Sequence, residues 1–118
     1  MKKLLVFVLL FFAVPALAAT CNISEYRNLV VDASGRLVPV AEEPAPNEQS
    51  VTYTVSTASA TFHVSTKFIR LICDAKAHFK ISVSGTAATA SSPWLAADSA
   101  EYFGVRRNLK ISFYDGIS

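Results

Sequence analysis

The chain offers little to catalysis. Its 118 residues include two cysteines, two histidines, four glycines, one tryptophan and one methionine. Four scattered glycines exclude a Gly-rich phosphate cradle, and no serine stands in a Gly-x-Ser-x-Gly elbow. His63 and His78 fall at polar positions of alternating segments, and with Asp74 they lack any recognised metal-ligand spacing. If Cys21 and Cys73 pair, no thiol nucleophile is left. The expectation is a protein that is not an enzyme and uses no cofactor and no metal.

What the chain does have begins at its N-terminus. Lys2 and Lys3 precede an unbroken apolar run from Leu4 to Val14, Pro15 ends it, and Ala16-Leu17-Ala18 satisfies the small-x-small rule of a signal peptidase site. The run is short for a permanent membrane anchor, so residues 1–18 read as an export signal to the periplasm, cell surface or medium. Cleavage after Ala18 leaves 100 residues, enough for one compact domain. Losing Lys2 and Lys3 takes the eleven basic side chains to nine, level with nine acidic ones. A neutral product argues against nucleic acid or an anionic membrane as a bulk electrostatic partner.

An oxidising destination makes a Cys21–Cys73 disulfide the default. Closing a loop of about fifty residues is worth roughly 4 kcal/mol in the chain-entropy model, a large share of the ~5–15 kcal/mol total of a small domain. A lipidated Cys21 is the rival reading, which Ala18-Ala19-Thr20 fits poorly. Asn22-Ile23-Ser24 matches a glycosylation sequon and reads here as a polar segment beside the disulfide.

Residues 19–40 read as an N-terminal arm. Leu29-Val30-Val31 and Leu37-Val38 flank the turn residues Asp32-Ala33-Ser34-Gly35, which predicts a hairpin or folded-back arm. Residues 41–49, AEEPAPNEQ, read as an acidic, Pro-rich linker. From residue 50 the period is two: Val51-Tyr53-Val55, Ala60-Phe62-Val64 and Ala77-Phe79-Ile81-Val83 alternate with polar residues. With LKISFY at 109–114, this predicts an all-β fold, a small antiparallel β-sandwich or jelly roll of about six to seven strands over 50–118.

TKFIRLICDA, residues 66–75, is different because both faces are apolar: Ile69, Leu71 and Cys73 on one, Phe68 and Ile72 around Arg70 on the other. Such a strand is covered on both sides. One face meets the opposing sheet; the arm or another subunit covers the second. Arg70 needs a carboxylate or a way out to solvent, and Glu42, Glu43 or Glu101 could supply the carboxylate. Cys73 would clip the arm to the domain through Cys21.

Trp94 follows Pro93 and is either a plug at the open end of the sandwich, the favoured reading, or a stacking platform for a sugar or partner. Of Tyr102 and Phe103, one faces the core and one faces whatever covers the strand. Arg106 and Arg107, with Lys110, form a basic turn that could meet the acidic linker of the same chain or a neighbour. The candidate interaction residues are Trp94, Phe68, Arg70, Ile72, Tyr102, Arg106 and Arg107.

Four phrases, EYRNLVVDASGRLVPVAEEP, TKFIRLICDA, AEYFGV and LKISFYDG, together resemble a group of short tailed-bacteriophage proteins encoded near the head genes. The resemblance spans most of residues 25–116 and implies a virion component, such as a decoration protein built on a small β-sandwich, here with an added export signal. The functional expectation is therefore a non-enzymatic structural module that docks on a protein surface or self-associates. The alternative is a secreted carbohydrate- or ligand-binding domain that uses Trp94 with Tyr102 or His78.

Overall fold

The computed structural model describes residues 18–116. The export signal falls almost wholly on residues 1–17, outside the described residues. Ten strands follow in order: β1 (Ala19–Tyr26), β2 (Leu29–Val31), β3 (Leu37–Ala41), β4 (Asn47–Tyr53), β5 (Thr57–Ala58), β6 (Phe68–Cys73), β7 (Ala77–Ser82), β8 (Trp94–Leu95), β9 (Glu101–Gly104) and β10 (Lys110–Tyr114). They form one four-stranded sheet in the order β4-β1-β6-β9, a second in the order β5-β10-β7-β8, and a separate β2–β3 hairpin. Every pairing is antiparallel. The expected all-β sandwich is the fold: seven strands, β4 to β10, run from Asn47 to Tyr114, and β1, β2 and β3 are additional to the six or seven expected over residues 50–118.

The core follows from alternation. Cys21 and Ile23 of β1, Val51 and Tyr53 of β4, and Ile69, Leu71 and Cys73 of β6 point inward from the first sheet. Ala77 of β7, Leu95 of β8, and Ile111 and Phe113 of β10 meet them from the second, with Phe79, Ile81 and Phe103 packed at the margin. Phe79 and Phe103 make a tilted ring contact at 5.1 Å, and Tyr53 stacks on Phe113 at 5.8 Å. Burying each large side chain contributes about 1.5–3 kcal/mol, so Ile69, Leu71 and Phe113, all fully buried, are among the chief stabilisers. The Tyr53 hydroxyl is buried without a hydrogen-bond partner among the described residues. Burial, then the nearby Asp74 and Asp115, push its pKa above the ordinary phenol value.

Residues 19–40 are not an arm throughout. Ala19–Tyr26 is an inner strand of the first sheet, paired with β4 on one side and β6 on the other. The alternation of Ala19, Cys21 and Ile23 against Thr20, Asn22 and Ser24 was sufficient to make it a half-buried strand. The sandwich therefore begins at residue 19, not 50, and the acidic linker shrinks to residues 42–46 between β3 and β4. Among the described residues, β2 and β3 are the strands that stand apart from the two four-stranded sheets. Their turn is held by Asp32 Oδ1, which accepts from Ser34 N at 2.9 Å, Ser34 Oγ at 2.7 Å and Arg36 N at 2.9 Å, while Gly35 takes the left-handed backbone, φ 81°.

The disulfide joins Cys21 to Cys73, with Cα atoms 4.0 Å apart. The two residues are direct cross-strand partners in β1 and β6, so the bond ties two central strands of one sheet and does not clip an arm. Ala60-Phe62-Val64, expected as a strand, runs in irregular backbone. Phe62 alone inserts into the core, its N–H donating to Leu109 O at 2.9 Å, and Val64 faces solvent.

Candidate functional site

The second face of β6 carries the candidate site. Tyr26 at the end of β1 is opposite Phe68, and their rings stack at 5.2 Å. The hairpin and linker close over Tyr26 until it is fully buried. Its hydroxyl donates to Glu43 Oε1, and Glu43 Oε2 accepts from Ala45 N at 3.0 Å. Burial, then the Glu43 hydrogen bond, raise the Tyr26 pKa, so the phenol stays protonated and donating.

Arg70 finds one of its three candidate carboxylates: Nη1 lies 3.8 Å from Glu43 Oε1, and Nη2 is 3.5 Å from Ser24 Oγ. Tyr102 is its cross-strand partner in β9. Partial burial works against the guanidinium charge, but the hydroxyl of Tyr102, with Tyr26 and Glu43, more than offsets it, and the pKa is raised. An ion pair this exposed contributes ~0–1 kcal/mol. Its role is positional: it pins the linker against the sheet.

Around this polar pin the surface is apolar. Leu29, Phe68 and Tyr102 line a hollow of about 430 Å³ with Pro39, Val40 and Ala41. Leu29 and Phe68 also line a neighbouring hollow of about 570 Å³ that reaches Val31 and Leu37. Leu37 is 69 % exposed, and Val31, Val40 and Tyr102 are each more than half exposed. Ile72, further along β6, is 36 % exposed. Phe68, Arg70, Ile72 and Tyr102 thus share one face, as alternation predicts, with Phe103 turned to the core.

Trp94, Arg106 and Arg107 lie elsewhere. Trp94 is 56 % exposed on the outer face of the second sheet, and Leu95, opposite Ala77, takes the core position beside it. It is no plug. Lys76 Nζ sits 4.3 Å from the centre of its ring, a contact worth about 0.5–1 kcal/mol at an exposed position. His78, in register with both Trp94 and Tyr114, is buried, and its Nδ1 lies 2.8 Å from Ser92 O. The polar position it occupies is covered by the small-residue loop 83–93. Within that loop Ala88 is buried and donates its N–H to Ser112 Oγ at 3.2 Å, and Thr86 N donates to Ser82 Oγ at 2.8 Å.

Arg106 and Arg107 occupy the turn between β9 and β10 and line a hollow of about 630 Å³ with Lys67, Val64 and Val83. The ion pair of the acidic linker is with Arg70, not with this turn. His63, near Lys67, contacts Ser65 Oγ through Nδ1 at 2.6 Å, while His78 and Asp74 belong to the opposite end of the strands. Among the described residues no group of three His, Cys, Asp or Glu side chains is arranged to hold a metal ion, and none of their helices is long and apolar enough to cross a membrane.

Sequence reasoning missed Glu25. It is buried, yet Oε1 accepts from His63 N at 2.7 Å and Thr66 Oγ1 at 2.8 Å, and Oε2 accepts from Gln49 Nε2 at 3.1 Å. Gln49 Oε1 in turn accepts from Ala60 N at 3.0 Å. Glu25 and Gln49 therefore fasten the 59–67 crossover to the first sheet. The available signal was its place in the Cys21-Ile23-Glu25 alternation, which turns it inward.

No family model, no curated protein and no solved structure matches the chain.

Proposed function

We propose that the protein is a non-enzymatic, exported structural module that docks on a protein surface or on copies of itself through the hairpin side of its first sheet. The observation that carries this is the apolar strip Leu29, Val31, Leu37, Val40, Phe68 and Tyr102, pinned in shape by Tyr26, Glu43 and Arg70. Exposed aliphatic and aromatic groups on a fixed frame gain from burial in an interface without a large ordering cost. The resemblance to virion-associated phage proteins supports the same reading. Export, with signal cleavage near Ala18, is supported by a buried disulfide and by a first strand that starts at Ala19.

The test is sedimentation of the oxidised protein, alone and with purified tailed-phage heads, comparing wild type with the Leu37→Ser/Val40→Ser variant. The wild type is expected to self-associate or co-sediment, and the variant to lose that complex with an unchanged circular dichroism spectrum. A wild type that does neither, or a variant that keeps every complex, overturns the reading.

The exposure of Trp94 favours a second reading, a secreted carbohydrate-binding domain. A glycan array run with wild type and Trp94→Ala decides it: binding lost with the fold intact supports a sugar platform, and no wild-type binding removes it.

A further inference from the structure

The two ends of the sandwich differ in charge, and strand register fixes which residues stand at each. Lys67 precedes β6 and Asp74 follows it, so the six-residue strand holds them roughly 20 Å apart. β9 runs back along β6 with Gly104 opposite Phe68, and Val105 N donates to Lys67 O at 2.9 Å. Arg106 and Arg107 therefore stand at the Lys67 end. At the other end Asp98 N donates to Cys73 O at 2.7 Å, and Thr20 N donates to Asp74 Oδ1 at 2.9 Å. Asp98 thus joins Asp74.

Each end also carries aliphatic surface. The hollow of about 630 Å³ at the basic end is lined by Lys67, Arg106 and Arg107 together with Val64 and Val83, and no carboxylate lines it. Val64 is 65 % and Val83 69 % exposed. Glu42 lies on the other side of Lys67, in the hollow against the hairpin. At the acidic end Val55, in the turn after β4, is 57 % exposed, and Ala96 and Ala97 lie exposed beside Asp98. One cation at this end, Lys76, is drawn away over Trp94.

We infer that the protein binds a second copy of itself head to tail, with Asp74 and Asp98 of one copy seated against Lys67, Arg106 and Arg107 of the next. Charge complementarity sets the partner and its orientation, and the valines and alanines supply the apolar contact. The two patches are different surfaces of one molecule, so the contact is heterologous and leaves a free end on every complex, to be closed only in a ring. The inference shares with the preceding reading the premise of a domain that works by protein contact, but it uses neither the hairpin nor the outer face of the first sheet.

The experiment is sedimentation velocity on the oxidised wild-type protein over a wide concentration range at low and high salt. Two variants accompany it: Lys67→Gln/Arg106→Gln/Arg107→Gln, which neutralises the basic end, and Asp74→Asn/Asp98→Asn, which neutralises the acidic one. Asn can still accept from Thr20 N, and it tolerates the left-handed backbone of Asp98, φ 58°. At low salt the wild type is expected to grow past the dimer with concentration. Each variant alone stays monomeric, and an equal mixture of the two stops at the dimer, because one keeps only an acidic end and the other only a basic end. At about 1 M salt, where screening falls to ~3 Å, the wild-type species return to monomer.

A wild type that stays monomeric at low salt overturns the inference, and the salt series on the wild type decides this even if a variant folds poorly. Growth that ignores salt overturns it too. A wild-type complex lost in Leu37→Ser/Val40→Ser but kept in both charge variants overturns it while sustaining the hairpin reading. The reverse pattern sustains the inference and removes self-association through the hairpin.

Discussion

The outer face of each sheet lies under a cover, and the two covers are made of different residues. Over the second sheet the cover is loop 83–93, built of Ser, Thr, Ala and Gly, which bonds to Ser82, His78 and Ser112 and buries Ala88. Its own polar groups meet those of the sheet, and apart from Trp94 and Val83 little apolar surface remains. Over the first sheet the cover is the β2–β3 hairpin with its linker, held at Tyr26, Glu43 and Arg70. It shields Tyr26 fully but leaves Val31, Leu37 and Val40 in water. A small-residue cover satisfied by hydrogen bonds is complete in the monomer. An apolar cover pinned at its base retains, at about 1.5–3 kcal/mol for each such side chain fully buried, a reserve of burial that only a further surface can use.

The comparison can be broken at several points. The largest effect belongs to the bond beneath both covers: Cys21→Ser/Cys73→Ser should cost about 4 kcal/mol, read as a fall in the urea midpoint. Because the disulfide ties β1 to β6, hydrogen exchange should then quicken under both covers alike. A loss confined to the hairpin would mean that the bond serves the arm after all.

Next comes the sealed cover. Ala88→Leu should cost about 1–3 kcal/mol by overpacking and free the Thr86 and Ala88 amides to exchange, with the hairpin unaffected. Gly116→Ala belongs with it. A methyl there would stand 2.9 Å from His78 Nε2 at a backbone φ of 83°, so a destabilisation of similar order is expected.

On the other side Tyr26→Phe removes the hydroxyl that holds Glu43, at about 1 kcal/mol. Thermal unfolding gives the magnitude, and NMR shifts of Ala45 and Arg70 show whether the linker has come loose. Leu37→Ser/Val40→Ser should change stability by less than about 0.5 kcal/mol, since both side chains already face water; a larger loss would show that the strip is structural.

The smallest effect is at the hairpin tip. The Ser34 hydroxyl, then the Arg36 amide, hold the Asp32 carboxyl below its ordinary pKa of 3.8. A depressed pKa means the turn's support is complete above that value and is lost as pH falls below it. Acid titration by NMR should move the Ser34 and Arg36 amides in that window alone, with loop 83–93 unmoved.

Much of this was legible because alternation assigns faces. The two-sided character of β6 and the division of Tyr102 from Phe103 follow from a period of two, while the Cys21–Cys73 bond was expected from two cysteines in a chain that reads as exported. β1 was misread because a Pro-rich spacer drew the domain boundary after it, although Ala19, Cys21 and Ile23 carried the same pattern as later strands. Trp94 was out of reach for a different reason: β8 has two residues, and so short a strand sets no phase. For His78 the phase was right, and its face, though turned away from the core, lies under a loop. Arg70 had three carboxylates within reason, and only the folded path of the linker selects Glu43.

Cys21 and Cys73 are 0 % and 1 % exposed. A reductant in solution cannot reach those sulfurs while the strands around them stay closed. The speed at which a thiol cuts the bond therefore reports how often that end of the sandwich opens. The protein contains its own clock for that opening.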